Sequence, residues 1–95
     1  MYTSKLKSPW LDQLFQTILK LEDVEDCYRF FEDVCTIKEL QDLAVRFEVA
    51  RLLSEKKSYA EIVKITKASS ATISRVNRSL LYGADGYQRA LKKVK

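Results

Sequence analysis

Apolar side chains along this chain recur at steps of three and four residues, and nowhere do they alternate regularly with polar ones. That period follows the 3.6-residue turn of an α-helix and lays an apolar stripe along one side of it. Two glycines and one proline in 95 residues also leave an all-β fold without its turns. The expected fold class is all-α, in one domain spanning 1–95.

Local signals divide the stripe into six helices. Ser8 followed by Pro9 reads as an N-cap and a first helical position. Trp10, Leu11, Leu14, Phe15, Ile18, Leu19 and Leu21 then form an apolar face. Asp23 is expected to cap a second helix with Val24, Cys27, Tyr28, Phe31 and Val34 inward. Thr36 and Glu39 have capping-box spacing, in which hydroxyl and carboxylate each satisfy an orphan N–H. The third helix, about 18 residues long, carries Ile37, Leu40, Leu43, Ala44, Phe47, Ala50 and Leu53 as its stripe. Ser58 and Glu61 repeat the capping box ahead of a short fourth helix ending near Thr66. A turn at 67–70 carries another cap, and a fifth helix runs from near Ala71 to Tyr82. Gly83 and Gly86 bracket a break, after which Asp85 is expected to cap a last helix with Tyr87, Ala90, Leu91 and Val94 inward.

Several function classes drop out. The chain has no histidine, the commonest general base and metal ligand. Cys27 and Cys35, with no histidine beside them, do not make a zinc set, and they are expected to act as small buried hydrophobes. No phosphate loop, HExxH or GxSxG occurs. Neither an enzyme nor a cofactor is expected. No apolar run approaches the roughly 18 residues of a membrane span, and MYTSKLKSPW does not read as a signal peptide. The expected location is cytoplasmic, with no membrane partner. Trp10, Phe15, Phe31 and Phe47 lie on apolar stripes and are expected in the core, with Tyr59 and Tyr82 as exceptions.

Charge is unevenly spread. Residues 1–55 hold seven Lys and Arg against eleven Asp and Glu, a net −4. Residues 56–82 hold six against one, net +5, and residues 83–95 hold four against one, net +3. The overall +4 is therefore the remainder of an acidic front and a basic back, and the back suits a polyanion.

The basic part contains the pattern of a helix-turn-helix between Tyr59 and Tyr82: a short helix, a tight turn, and a second helix able to enter a major groove. Ile62 faces inward from the first helix, and Ala68 is a small residue where the two helices approach. Ile73, Val76 and Leu80 line the inner side of the second. Outward near the turn and the second helix's start are Ser69, Ser70, Ala71, Thr72, Ser74 and Arg75, with Arg78 a turn beyond. Small hydroxyl and methyl groups let a helix seat deeply, and arginine can bond guanine through two N–H groups. Lys64 and Lys67, with Lys56 and Lys57, would flank the groove on phosphates. The expected partner is double-stranded DNA. An adaptor that uses the same scaffold to meet an acidic protein is the alternative. Specific RNA modules offer exposed stacking aromatics, which makes RNA a weaker third reading.

The stretches TIKELQDL (Thr36–Leu43), RFEVARLL (Arg46–Leu53) and above all ATISRVNRSL (Ala71–Leu80) resemble the Trp repressor superfamily, in particular its YerC/YecD-type branch. The likeness covers roughly residues 10–95, and YGADGY (Tyr82–Tyr87) is a mark of the branch. It implies an intertwined homodimer: residues 1–55 supply dimerisation helices, 58–82 the helix-turn-helix and 86–95 a C-terminal helix. It further implies a regulator, a repressor by kinship, that binds a palindromic operator. The family's DNA-contacting helix start falls on Ser70, Ala71, Thr72 and Ser74. Its ligand pocket falls on Arg75, which matches the indole-stacking arginine, on Ser79, and on Arg46 across a one-residue slip. Where the Trp repressor has glycine after that arginine, this chain has Val76, whose branched side chain should occupy the indole's space. No tryptophan response is expected. Lys67 stands where a glycine is usual, so a slightly different turn is expected there.

Overall fold

A computed structural model describes residues 2–94. Among these residues the chain forms six α-helices and no strand: α1 Pro9–Ile18, α2 Val24–Val34, α3 Ile37–Ser54, α4 Tyr59–Thr66, α5 Ser70–Tyr82 and α6 Gly86–Val94. The starts follow the local signals. Ser8 Oγ accepts from Leu11 N–H at 3.1 Å and Asp23 Oδ1 from Asp26 N–H at 2.8 Å. Ser58 and Ser69 likewise cap α4 and α5. No helix among the described residues is long and apolar enough to cross a membrane.

The chain divides into two compact units, Met1–Thr36 and Ile37–Lys95. In the second, α5 packs on α3, α4 and α6, and α3 also packs on α4 and α6. Its core is Val49, Ala50, Leu52, Ile62, Ala68, Ile73, Val76, Leu80 and Leu91, with Val45, Leu53 and Tyr87 packed against it. Burying an Ile or Leu side chain of this kind contributes about 1.5–3 kcal/mol. In the first unit neither α1 nor α2 has a buried residue. Phe30 and Phe31 meet edge to face at 5.3 Å between centroids. A hollow of about 430 Å³ lies among Trp10, Gln13, Leu14, Thr17 and Phe30.

The amphipathic stripes of α1 and α2 are present, but within the first unit they are at most half-buried. Trp10 is 86% exposed and Phe15 55%, against the expectation that both are core. Phe31 is half-buried and Phe47 exposed. Likewise Cys27 is exposed and Cys35 half-buried, rather than both buried. Leu21 falls beyond the end of α1.

The stripe read along α3 is its packed face only at Ala50 and Leu53. Val45, Val49 and Leu52, spaced i, i+4, i+7, turn to the core with Ala50, whereas Ile37, Leu43, Ala44 and Phe47 are exposed. α3 carries apolar residues on two sides, so periodicity alone picks out one and misses the other. In α6, Leu91 is buried and Tyr87 half-buried, but Ala90 and Val94 are exposed because only one narrow side meets α3 and α5. Asp85 accepts the first helical bond, from Arg89 N–H at 3.1 Å, yet its φ of 68° is left-handed and not the extended backbone of a usual N-cap.

Candidate nucleic-acid interface

Local hydrogen bonds build the helix-turn-helix. Ser58 Oγ accepts from Glu61 N–H at 3.2 Å and starts α4. At its other end Lys67 N–H donates to the Val63 carbonyl at 2.8 Å. Thr66 then locks the turn from both directions: its hydroxyl donates to the Ile62 carbonyl at 2.8 Å and accepts from Ala68 N–H at 3.1 Å. Ala68 is buried where the helices converge. Ser69 Oγ accepts from Thr72 N–H and donates to Thr72 Oγ1, each at 3.1 Å, which fixes the first turn of α5. Lys67 has a φ of 63°, so the turn does take the left-handed residue that a glycine would supply. The altered turn expected from lysine is absent, because the hydrogen bonds around Thr66 hold the backbone in that conformation.

Ile73, Val76 and Leu80 hold α5 to the core, and the opposite side is open. Ala71, Ser74, Arg75 and Arg78 fall at i, i+3, i+4 and i+7, one face of the helix, and all four are exposed. Ser69 and Ser70 are exposed beside them, as are Lys64 and Lys67. Thr72 is half-buried, with its hydroxyl engaged in the cap.

The charges separate as the helices do. All five ion pairs among the described residues lie between Lys7 and Glu55. The nine Lys and Arg between 56 and 94 have none: Lys56, Lys57, Lys64 and Lys67 around α4, Arg75 and Arg78 on α5, and Arg89, Lys92 and Lys93 on α6. An exposed, uncompensated run of cations beside an open helix face has the electrostatics of a phosphate-binding surface.

Of the three residues implied for a ligand pocket, Arg46 lines a hollow of about 370 Å³ with Lys38, Asp42, Val45, Thr66, Lys67, Ala68 and Thr72. Arg75 and Ser79 are exposed on α5 and do not line it. Sequence reasoning missed Lys38 and Asp42. Their spacing with Arg46 (i, i+4, i+8) puts all three on one side of α3 and was the available signal. Val76 is already buried in the chain's own core. Among the described residues no cluster of His, Cys, Asp and Glu is arranged to hold a metal.

Fold and site define a helix-turn-helix protein. More particularly, the chain belongs to the Trp repressor protein family, whose model matches residues 10–95. That family is one of regulatory DNA-binding proteins and not of enzymes. The chain is 57% identical over 95 residues to the uncharacterised protein YerC of Bacillus subtilis strain 168, covering all of this chain and 91% of the relative. It is also similar to two crystal structures. One is a TrpR-like protein from Eubacterium eligens ATCC 27750, at 56% identity and a TM-score of 0.91 over 95% of this chain and 93% of that one. The other is a Trp repressor candidate from Staphylococcus aureus, at 46% identity and a TM-score of 0.91 over 99% and 94%. The all-helical fold and the Trp repressor resemblance, including its YerC-type branch, are thereby borne out.

Proposed function

We propose that this chain is a sequence-specific DNA-binding transcriptional regulator, a repressor, that binds a palindromic operator as a homodimer. The observation that carries the reading is the open face of α5 set among unpaired cations. In this reading Ser70, Ala71, Thr72, Ser74 and Arg75 meet base edges. Ser69, Lys64, Lys67 and Arg78 meet phosphates, which set register and affinity without reading sequence. Residues 1–55 supply the dimerisation surface, in keeping with the open stripes of α1 and α2 and the open side of α3. Two-fold symmetry then sets two α5 helices about 34 Å apart, on successive major grooves. Binding chromosomal DNA makes the cytoplasm its site of action.

Tryptophan is not the effector in this reading. Two observations support this: Val76 is buried in the core, and neither Arg75 nor Ser79 lines the hollow beside Arg46. Calorimetry with L-tryptophan should show no binding, and millimolar or tighter affinity would overturn this part.

The DNA reading is tested by titrating a random-sequence duplex at physiological salt and then at rising salt. With about four to six phosphate contacts per half-site, log affinity should fall steeply with log salt. A protein with no measurable DNA affinity at low salt that co-purifies with an acidic partner would instead be an adaptor.

A further inference from the structure

Among the described residues three other than glycine hold left-handed backbone, Lys56 at φ 66°, Lys67 at 63° and Asp85 at 68°, and neither glycine does. Left-handed φ crowds Cβ against the backbone, so helices that end this way usually place glycine at that position. The first two cases are complete C-terminal motifs. At the end of α3, Lys57 N–H donates to the Leu52 carbonyl at 3.1 Å and Lys56 N–H to the Leu53 carbonyl at 3.0 Å. Those are the paired bonds of a Schellman motif, and Lys56 is its left-handed residue. At the end of α4, the Lys67 N–H to Val63 carbonyl bond makes the simpler single-bond motif, with Lys67 left-handed.

At both glycine positions the chain therefore carries lysine. Neither ammonium group has an acidic partner, and both residues are exposed. Inside the chain each side chain gains only the weak attraction between a cation and the carbonyl end of a helix. Their placement is less neutral. Lys56 lies two residues before the Ser58 cap and Lys67 one residue after Thr66, so they bracket α4, the helix that crosses the DNA backbone in this motif.

We infer that Lys56 and Lys67 are phosphate-contact residues kept against the backbone's preference for glycine, so that stability and DNA affinity oppose each other at these two positions. The inference rests on the DNA-binding reading and adds to it a trade that an ordinary surface lysine does not make. Lys64 or Lys57, on unstrained backbone, would lose affinity on substitution without gaining stability.

The test compares the full chain with Lys56→Gly, Lys67→Gly and Asp85→Gly at matched concentration. Each is measured by thermal unfolding and by the salt dependence of binding to a random-sequence duplex. Both lysine variants should unfold roughly 4 °C higher. Both should also lower the magnitude of the slope of log affinity against log salt by about one per chain, the loss of one phosphate contact. Asp85→Gly removes left-handed strain without removing a cation and should leave the slope unchanged. Lysine variants that unfold lower would show that these side chains stabilise the chain, and would overturn the inference. So would an unchanged slope in the lysine variants, or an equal loss of slope in Asp85→Gly, while the parent chain still binds. A parent chain that does not bind DNA at all would defeat the DNA reading itself, and this inference with it.

Discussion

In the DNA-binding reading, neighbouring positions of the helix-turn-helix do different work. Arg75 and Thr72 lie in the first turns of α5, where a helix entering a groove meets base edges, and Lys64 lies on the preceding helix. Arg75→Ala and Thr72→Ala should relax base preference by about 1–3 kcal/mol at one position each, whereas Lys64→Ala should weaken all sequences alike. Affinities measured over a set of operator variants separate the two outcomes. The two glycines also differ. A Cβ at Gly83 would clash with the Ser79 carbonyl oxygen, whereas one at Gly86 meets nothing within 4 Å. Gly83→Ala should therefore lower the melting temperature clearly, and Gly86→Ala should not. On α3, Arg51 bonds Glu48 at 2.9 and 2.7 Å and Glu55 at 2.6 Å, and its hydrogen bonds hold the Glu48 carboxyl below the ordinary value of 4.5. A carboxyl lowered in the folded state adds stability that is present above its unfolded pKa and lost as pH falls through the lowered one. Glu48→Gln should flatten the loss of stability below about pH 4.5, as followed by acid unfolding. The effect will be small, since both partners are well exposed.

Among the helices, starts were more legible than burial. Ser8, Asp23 and Ser58 announce their helices because a cap is a contact over three residues, and sequence spacing contains all of it, while the cap read within 67–70 falls on Ser69. Replacing Ser58 with alanine should cost about 1 kcal/mol, or roughly 4–8 °C in melting temperature. Burial depends on what packs against a face, which no local pattern contains. On α5 the inner residues Ile73, Val76 and Leu80 were legible because one side is apolar and the other basic and hydroxylic. On α3 they were not, because Val45, Val49 and Leu52 compete with Leu43 and Phe47 for the same period. The left-handed Lys56 was hidden for a related reason, and Lys67 stood out only through the family's usual glycine. A lysine gives no sign of the φ that surrounding hydrogen bonds impose on it.

Across the molecule, acidic and basic halves divide much as the two kinds of open surface do. The back half exposes unpaired cations, and the first unit exposes large apolar residues of its helical stripes. A chain of this size buries only roughly 60–65% of its unfolded surface, so a second copy is the expected cover. Sedimentation at micromolar concentration should find a dimer, and a stable folded monomer would contradict that assembly. The acidic and basic halves and the open face of α5 were both legible from residue order. The hollow at Arg46 was only half legible, because it is assembled from α3, the turn and α5 together. Sequence-specific recognition by a two-fold dimer is tested most directly by selecting bound sequences from a random DNA pool. Two inverted half-sites one helical turn apart should be enriched. A pool left unenriched, or enriched for a single unrepeated element, would contradict it.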